Sequence, residues 1–105
     1  NGKITYFEIK GHADFSGYGD DIICAAVSSV GQMTINGLIE TLKLQKKLEY
    51  VEKDGLITCD LKDSELTDDE LEKADILIES MYSYLKAVAR SYSEFVKLEE
   101  KIENK

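Results

Sequence analysis

A chain of 105 residues, 43% hydrophobic and 32% charged, has room for one core and not for two, so a single domain spanning residues 1–105 is expected. Its 13 basic and 21 acidic residues leave a net charge of −8. That balance argues against nucleic acid as a direct ligand, because phosphate binding needs a basic patch and the basic residues here are scattered among acids; a basic protein or peptide suits the charge better.

Residues Lys3 to Lys10 read as a strand in which Phe7 and Ile9 face the core. Gly11 ends it, which places His12 at the strand's C-terminal lip. Ala13 to Asp21 reads as a loop, with Asp20 and Asp21 as the cap and first turn of a helix from about Ile22 to about Gln45. The inner stripe of that helix is Val27, Val30, Thr34, Leu38 and Leu42. Gly31 and Gly37 each weaken a helix by ~1 kcal/mol relative to alanine, so they predict close packing against a neighbour.

Lys47 to Leu61 has the pattern of a hairpin turning at Lys53-Asp54-Gly55. Thr67 followed by Glu70 matches a capping box, and the stripe Leu71, Ala74, Ile78, Met81, Leu85, Val88 and Tyr92 marks a second amphipathic helix. Phe95 to Leu98 is read as a short closing strand, with a charged tail from Glu99 to Lys105 that frays. The order predicts an α/β (α+β) domain, a two-layer sandwich of two helices on a mainly antiparallel sheet. An exposed sheet face or edge on so small a domain leaves surface for a homodimer to cover.

No apolar run is read as approaching the ~20 residues that cross a bilayer, and no signal peptide opens the chain, so no membrane association and a cytoplasmic location are expected. The two cysteines are then thiols rather than a disulfide. Cys59 lies in a strand pattern and reads as a small buried apolar residue. His12, Cys24 and Cys59 have no metal-ligand spacing, and Gly17 and Gly19 are followed by no lysine at the place a phosphate loop requires. No metal and no cofactor are expected.

The chemistry concentrates between Gly11 and Ser28. Cys24 precedes a run of small residues that reads as the first turns of the helix, where unpaired N–H groups favour thiolate over thiol. A nucleophilic cysteine needs a base, and His12 is the only histidine in the chain. Asp21 has two roles open to it, orienting His12 or capping the helix. The backbone N–H groups of Cys24 and Ala25 are the expected oxyanion donors, and Gly17 and Gly19 the bending points of a mobile loop over the substrate. Ser28 reads as a small packing residue. The acidic residues between Asp60 and Glu79 read as a solvated helix face that could also steer a basic partner.

Gly11-His12-Ala13 and Asp21-Ile22-Ile23-Cys24-Ala25-Ala26-Val27-Ser28 resemble the signature of the bacterial ribosomal-processing cysteine proteases (Prp), Gly-His-Ala and Asp-Ile-Val-Cys-Ala-Ala-Val-Ser, with only Ile23 changed. The likeness extends over most of the chain, as far as Tyr92-Ser93-Glu94-Phe95-Val96-Lys97-Leu98, where relatives often carry proline at the Ser93 position. The resemblance implies a homodimeric protease with His12 and Cys24 as catalytic pair. Its implied substrate is the short N-terminal extension of the large-subunit ribosomal protein numbered twenty-seven, in Firmicutes-like bacteria. It also implies a strand ahead of Ile4–Ile9 that is missing here; with the chain opening at Asn1 rather than methionine, the expectation is that residues upstream are absent and that an edge of the sheet is artificial. The competing hypothesis is a non-catalytic acidic module that binds a basic ribosomal protein; a thiol beside the only histidine favours the enzyme.

Overall fold

The computed structural model describes residues 3–10, 18–53, 55–62 and 65–101, the side chains of 18–21 excepted. Strand β1 (Tyr6–Lys10) is followed by helix α1 (Tyr18–Asn36), which continues into one π turn (Gly37–Thr41), and by a short 3-10 turn (Gln45–Lys47). Strands β2 (Glu49–Lys53) and β3 (Leu56–Asp60) form the hairpin, and helix α2 (Asp68–Ser91) closes the fold. The sheet is antiparallel throughout, in the order β1-β3-β2. This is the expected two-layer α+β arrangement.

The period-two alternation of the strands sends one set of side chains to the helices. Phe7 and Tyr50 flank Cys59 in one row, and Ile9 pairs with Ile57 in the next. Phe7, Ile57 and Cys59 are buried with Ile35 and Leu38 of the first helix and Ala74, Ile78, Met81 and Leu85 of α2. The expected inner stripe of α1 also holds: Thr34 and Leu38 are buried, while Val27, Val30 and Leu42 are partly so. Thr34 satisfies its buried hydroxyl by donating to the Val30 carbonyl at 3.0 Å.

Both helical glycines mark close approaches. A Cβ on Gly31 would lie 2.6 Å from Ile9 Cδ1 and 3.1 Å from Ile57 Cδ1, and one on Gly37 would lie 3.0 Å from Leu77 Cδ1. Gly31 therefore lets α1 press onto β1 and β3, and Gly37 lets α2 press onto the π turn. The helical run stops at Thr41, short of the expected Gln45. Lys43 takes a left-handed conformation (φ 60°), the Leu44 N–H donates back to the Leu38 carbonyl at 3.0 Å, and Leu44 is fully buried. That is a left-handed stop in which burial of the following leucine offsets the ~1–2 kcal/mol strain of a non-glycine residue.

The hairpin turns where expected, with Gly55 at φ 81°; Asp54 lies outside the described residues. The capping box forms as predicted: Glu70 N–H donates to Thr67 Oγ1 at 3.1 Å, and Thr67 N–H to Glu70 Oε1 at 3.0 Å. Lys47 adds an ion pair to Glu70 at 2.9 Å, tying α2's first turn to the segment ahead of β2.

Two expectations are corrected here. Phe95 to Leu98 is no strand: the chain turns at once, with the Phe95 and Val96 N–H groups both donating to the Tyr92 carbonyl, and Glu100 then accepts from the Tyr82 hydroxyl on α2. Among the described residues no strand pairs with it, so an apolar run alone did not suffice. Secondly, Ile22–Thr41, at mean hydropathy 1.6, is long and apolar enough by composition to cross a bilayer, which the sequence reading denied. One face of that stretch is occupied by β1, β3 and α2.

Candidate active site

Lys10 pairs with Leu56 at one end of the sheet and Glu49 with Asp60 at the other. β1 thus ends, and β2 begins, at opposite ends, so the connecting α1 runs back along the sheet. The Gly31 contact with Ile9 fixes its height. Cys24 precedes Gly31 by seven residues, two turns, and so shares its sheet-facing side, displaced ~10 Å towards the end where β1 leaves the sheet. It is half-buried, as is Ser28 one turn on, whereas Ala25 and Ala26 are exposed.

The helix begins at Tyr18, four residues ahead of the expected Ile22. That changes the electrostatic reading of the site. Cys24 is the seventh helical residue, so its N–H and that of Ala25 fall where i to i−4 pairing within the helix takes up backbone donors, and the open donors belong to residues 18–21. Cys24 and Ala25, expected at the helix start, thus stand more than one turn inside α1. Asp21 is the fourth residue of α1 rather than the residue ahead of it. Gly19 also lies in that first turn rather than in a loop. His12, Gly17 and most of the expected mobile loop lie outside the described residues.

Cys59 is placed as predicted, with no exposed surface, and burial followed by the neighbouring Asp60 carboxylate pushes its thiol up to about 12. A group so held stays protonated at neutral pH and is no nucleophile. Among the described residues no three His, Cys, Asp or Glu side chains group as a metal site would require. Two surface hollows lie away from Cys24. One is an open depression on the outer side of the sheet over Tyr6, Glu49, Val51, Thr58 and Asp60; the other lies between the end of the π turn and the start of α2, at Thr41, Leu42, Asp69 and Lys73. Neither was foreseen, although strand alternation alone places Tyr6, Glu49 and Asp60 together on the outer face.

Comparison with known proteins agrees with this architecture. The sequence profile of the family described as Cysteine protease Prp matches residues 1–97. The ribosomal processing cysteine protease Prp of Bacillus subtilis (strain 168) is 32% identical over 91 residues, covering 87% of this chain and 80% of that protein. That of Staphylococcus aureus (strain Mu50) is 28% identical over 97 residues, covering 92% and 87%. Among solved structures, the S. aureus Prp in complex with a substrate peptide superposes with a TM-score of 0.74 at 26% identity, over 95% of this chain and 90% of that one. SMU.848 from Streptococcus mutans superposes at 0.69 with 33% identity, over 92% and 83%. With the signature residues, the packing of α1 on the sheet and these likenesses in agreement, the chain belongs to the Prp family of ribosomal-processing cysteine proteases.

Proposed function

We propose that this protease removes the short N-terminal extension of the large-subunit ribosomal protein numbered twenty-seven, acting in the cytoplasm as a homodimer, with Cys24 as nucleophile and His12 as its base. The height of Cys24 on α1 is the observation that carries this assignment. Cys24 stands half-buried on the sheet-facing side of α1, ~10 Å of helix rise from the contact of Gly31 with Ile9 and towards the end of the sheet where β1 ends at Lys10; His12 follows Lys10 by two residues in the sequence.

In the reaction His12 accepts the Cys24 proton as the sulfur attacks the scissile carbonyl. The tetrahedral adduct collapses when the imidazolium returns that proton to the departing amine, leaving a thioester on Cys24. Water, deprotonated by His12, then releases the acid product and restores the thiol. The S. aureus relative has been solved with a covalently linked product peptide, the kind of species a thioester route passes through. A net charge of −8 suits a lysine-rich precursor, and attraction of that kind is screened within ~8–10 Å at physiological salt.

Incubation with a synthetic peptide spanning the extension, read by mass spectrometry, should show one defined cut. Intact peptide after long incubation would favour the acidic binding module instead. A fall in kcat/KM as salt rises would show that charge assists encounter; a flat response would restrict the charge to solubility.

A further inference from the structure

The helix-facing side of the sheet carries one charge. Strand alternation puts Phe7 and Ile9 of β1, Ile57 and Cys59 of β3, and Tyr50 and Glu52 of β2 on that side, and Glu52 is the charged residue among them. Helix α1 packs on β1 and β3, which leaves the inner side of β2 largely open: Tyr50 is half-buried and Glu52 exposed. Glu52 shares its row with Ile57 and Ile9, the two residues against which Gly31 seats α1. Its carboxylate has no hydrogen bond or ion pair among the described residues.

We infer that Tyr50 and Glu52 form a subsite for a lysine or arginine side chain of the substrate, several residues from the bond that is cut. The inference rests on the protease reading above and deepens it. The two positions stand one pleat repeat apart on the same face, ~7 Å, so the aliphatic stem of a basic side chain lies along the Tyr50 ring while its charged head meets the Glu52 carboxylate. Charge selects the occupant: the carboxylate has no cation of its own, on a chain of net charge −8. Glu52 lies one strand, ~5 Å, beyond Ile57, and Cys24 lies ~10 Å along α1 from the Gly31 contact. Together these displacements are on the order of 15 Å, the length of four or five extended residues. Glu52 therefore selects substrate without touching the reacting atoms.

An inward-facing charge on an edge strand also has a purely structural use, to keep that edge from pairing with the sheet of another molecule, and β2 is an edge strand. Lysine serves that purpose as well as glutamate does, whereas only a carboxylate attracts a basic side chain. Reversal of the charge at position 52 therefore separates the two roles.

Cleavage of the extension-spanning peptide, and of a series in which each lysine or arginine in turn is replaced by glutamate, tests this. Glu52→Lys should raise KM for the unaltered peptide at least about tenfold with kcat within about twofold and an unchanged circular dichroism spectrum. One member of the series should be a poor substrate for wild type and a better one than the unaltered peptide for Glu52→Lys. Glu52→Gln, which removes the charge without reversing it, should fall between the two proteins. A Glu52→Lys protein that cleaves the whole series as wild type does would overturn the subsite and leave the edge role. A uniform loss, with no position at which the preference reverses, would mark long-range repulsion and overturn it too. If wild type cuts no peptide, the protease reading fails instead, and affinities of the same series for Cys24→Ala with and without Glu52→Lys decide the subsite: reversal at one position upholds it, and no reversal overturns it.

Discussion

Cys24 and Cys59 are the same group in opposite settings. Cys59 sits on the central strand between Phe7 and Tyr50, without exposed surface, its thiol raised to about 12 by burial and then by Asp60. Cys24 is half-buried near the start of α1, towards the end of the sheet where β1 leaves it. The strand thiol serves as a small apolar side chain that fills the core. A nucleophile needs the reverse, partial access and a base within reach. Placement in the fold, rather than residue type, separates the two roles.

The comparison breaks most sharply on turnover. Cys24→Ser and His12→Ala should each lower kcat/KM for the extension peptide by at least about 10³-fold, whereas Cys59→Ala should leave it within about threefold and cost about 1 kcal/mol of stability. A Cys59→Ala variant as inactive as Cys24→Ser would assign the chemistry to the wrong thiol.

Alkylation gives the next largest contrast. Iodoacetamide near neutral pH should label Cys24 at least about tenfold faster than Cys59, because a protonated and enclosed thiol reacts only through opening of the fold. Peptide mapping by mass spectrometry at intermediate times reads the ratio, and equal labelling would mean that β3 opens as readily as the site.

Cys59 also predicts an alkaline effect. Its folded pKa is about 12 against an ordinary value of 9.0, so between those values the unfolded state loses a proton that the folded state keeps. Stability is then fully present below the unfolded value and falls with rising pH, at up to about 1.4 kcal/mol per pH unit from this group. The difference between wild type and Cys59→Ala in urea titrations from pH 8 to 11 isolates the effect. No difference in slope would mean that Cys59 ionises as freely in the folded state as in the unfolded one.

The smallest effect concerns the contact that sets the height of Cys24. Gly31→Ala gains ~1 kcal/mol of helix propensity but forces Ile9 and Ile57 aside, at ~1–3 kcal/mol, for a net loss of about 1 kcal/mol. It should also lower kcat/KM several-fold by lifting α1 from β1. Gly37→Ala meets only the tip of Leu77 at 3.0 Å and should leave activity unchanged. If the two variants behaved alike, the contact at Gly31 would not position the site.

Local chemistry carried much of this in the sequence. The strand alternation at Phe7 and Ile9, the Asp54-Gly55 turn, the Thr67–Glu70 box and the stripe of α2 each depend on neighbours a few residues apart, and each has its structural counterpart except Asp54, outside the described residues. Gly31 and Gly37 were legible too, because a helix keeps a residue that weakens it only where a side chain would collide. The family signature around Cys24 was equally plain. What misled was the small-residue run Ala25-Ala26-Val27-Ser28, which reads as a helix start although α1 begins at Tyr18.

Tertiary structure decided the rest. The end of the first helical run depends on burial of Leu44, which holds Lys43 in a left-handed conformation that its own chemistry disfavours. Phe95 to Leu98 follows a turn in which the Phe95 and Val96 N–H groups donate to the Tyr92 carbonyl, and it joins no sheet among the described residues. The contrast between the two thiols follows from which side of each element the sheet covers. Sequence periodicity states that an element has an inner side and an outer one; only the packing of elements distant in the chain decides what lies against each, because burial, desolvation and reach are properties of neighbours in space.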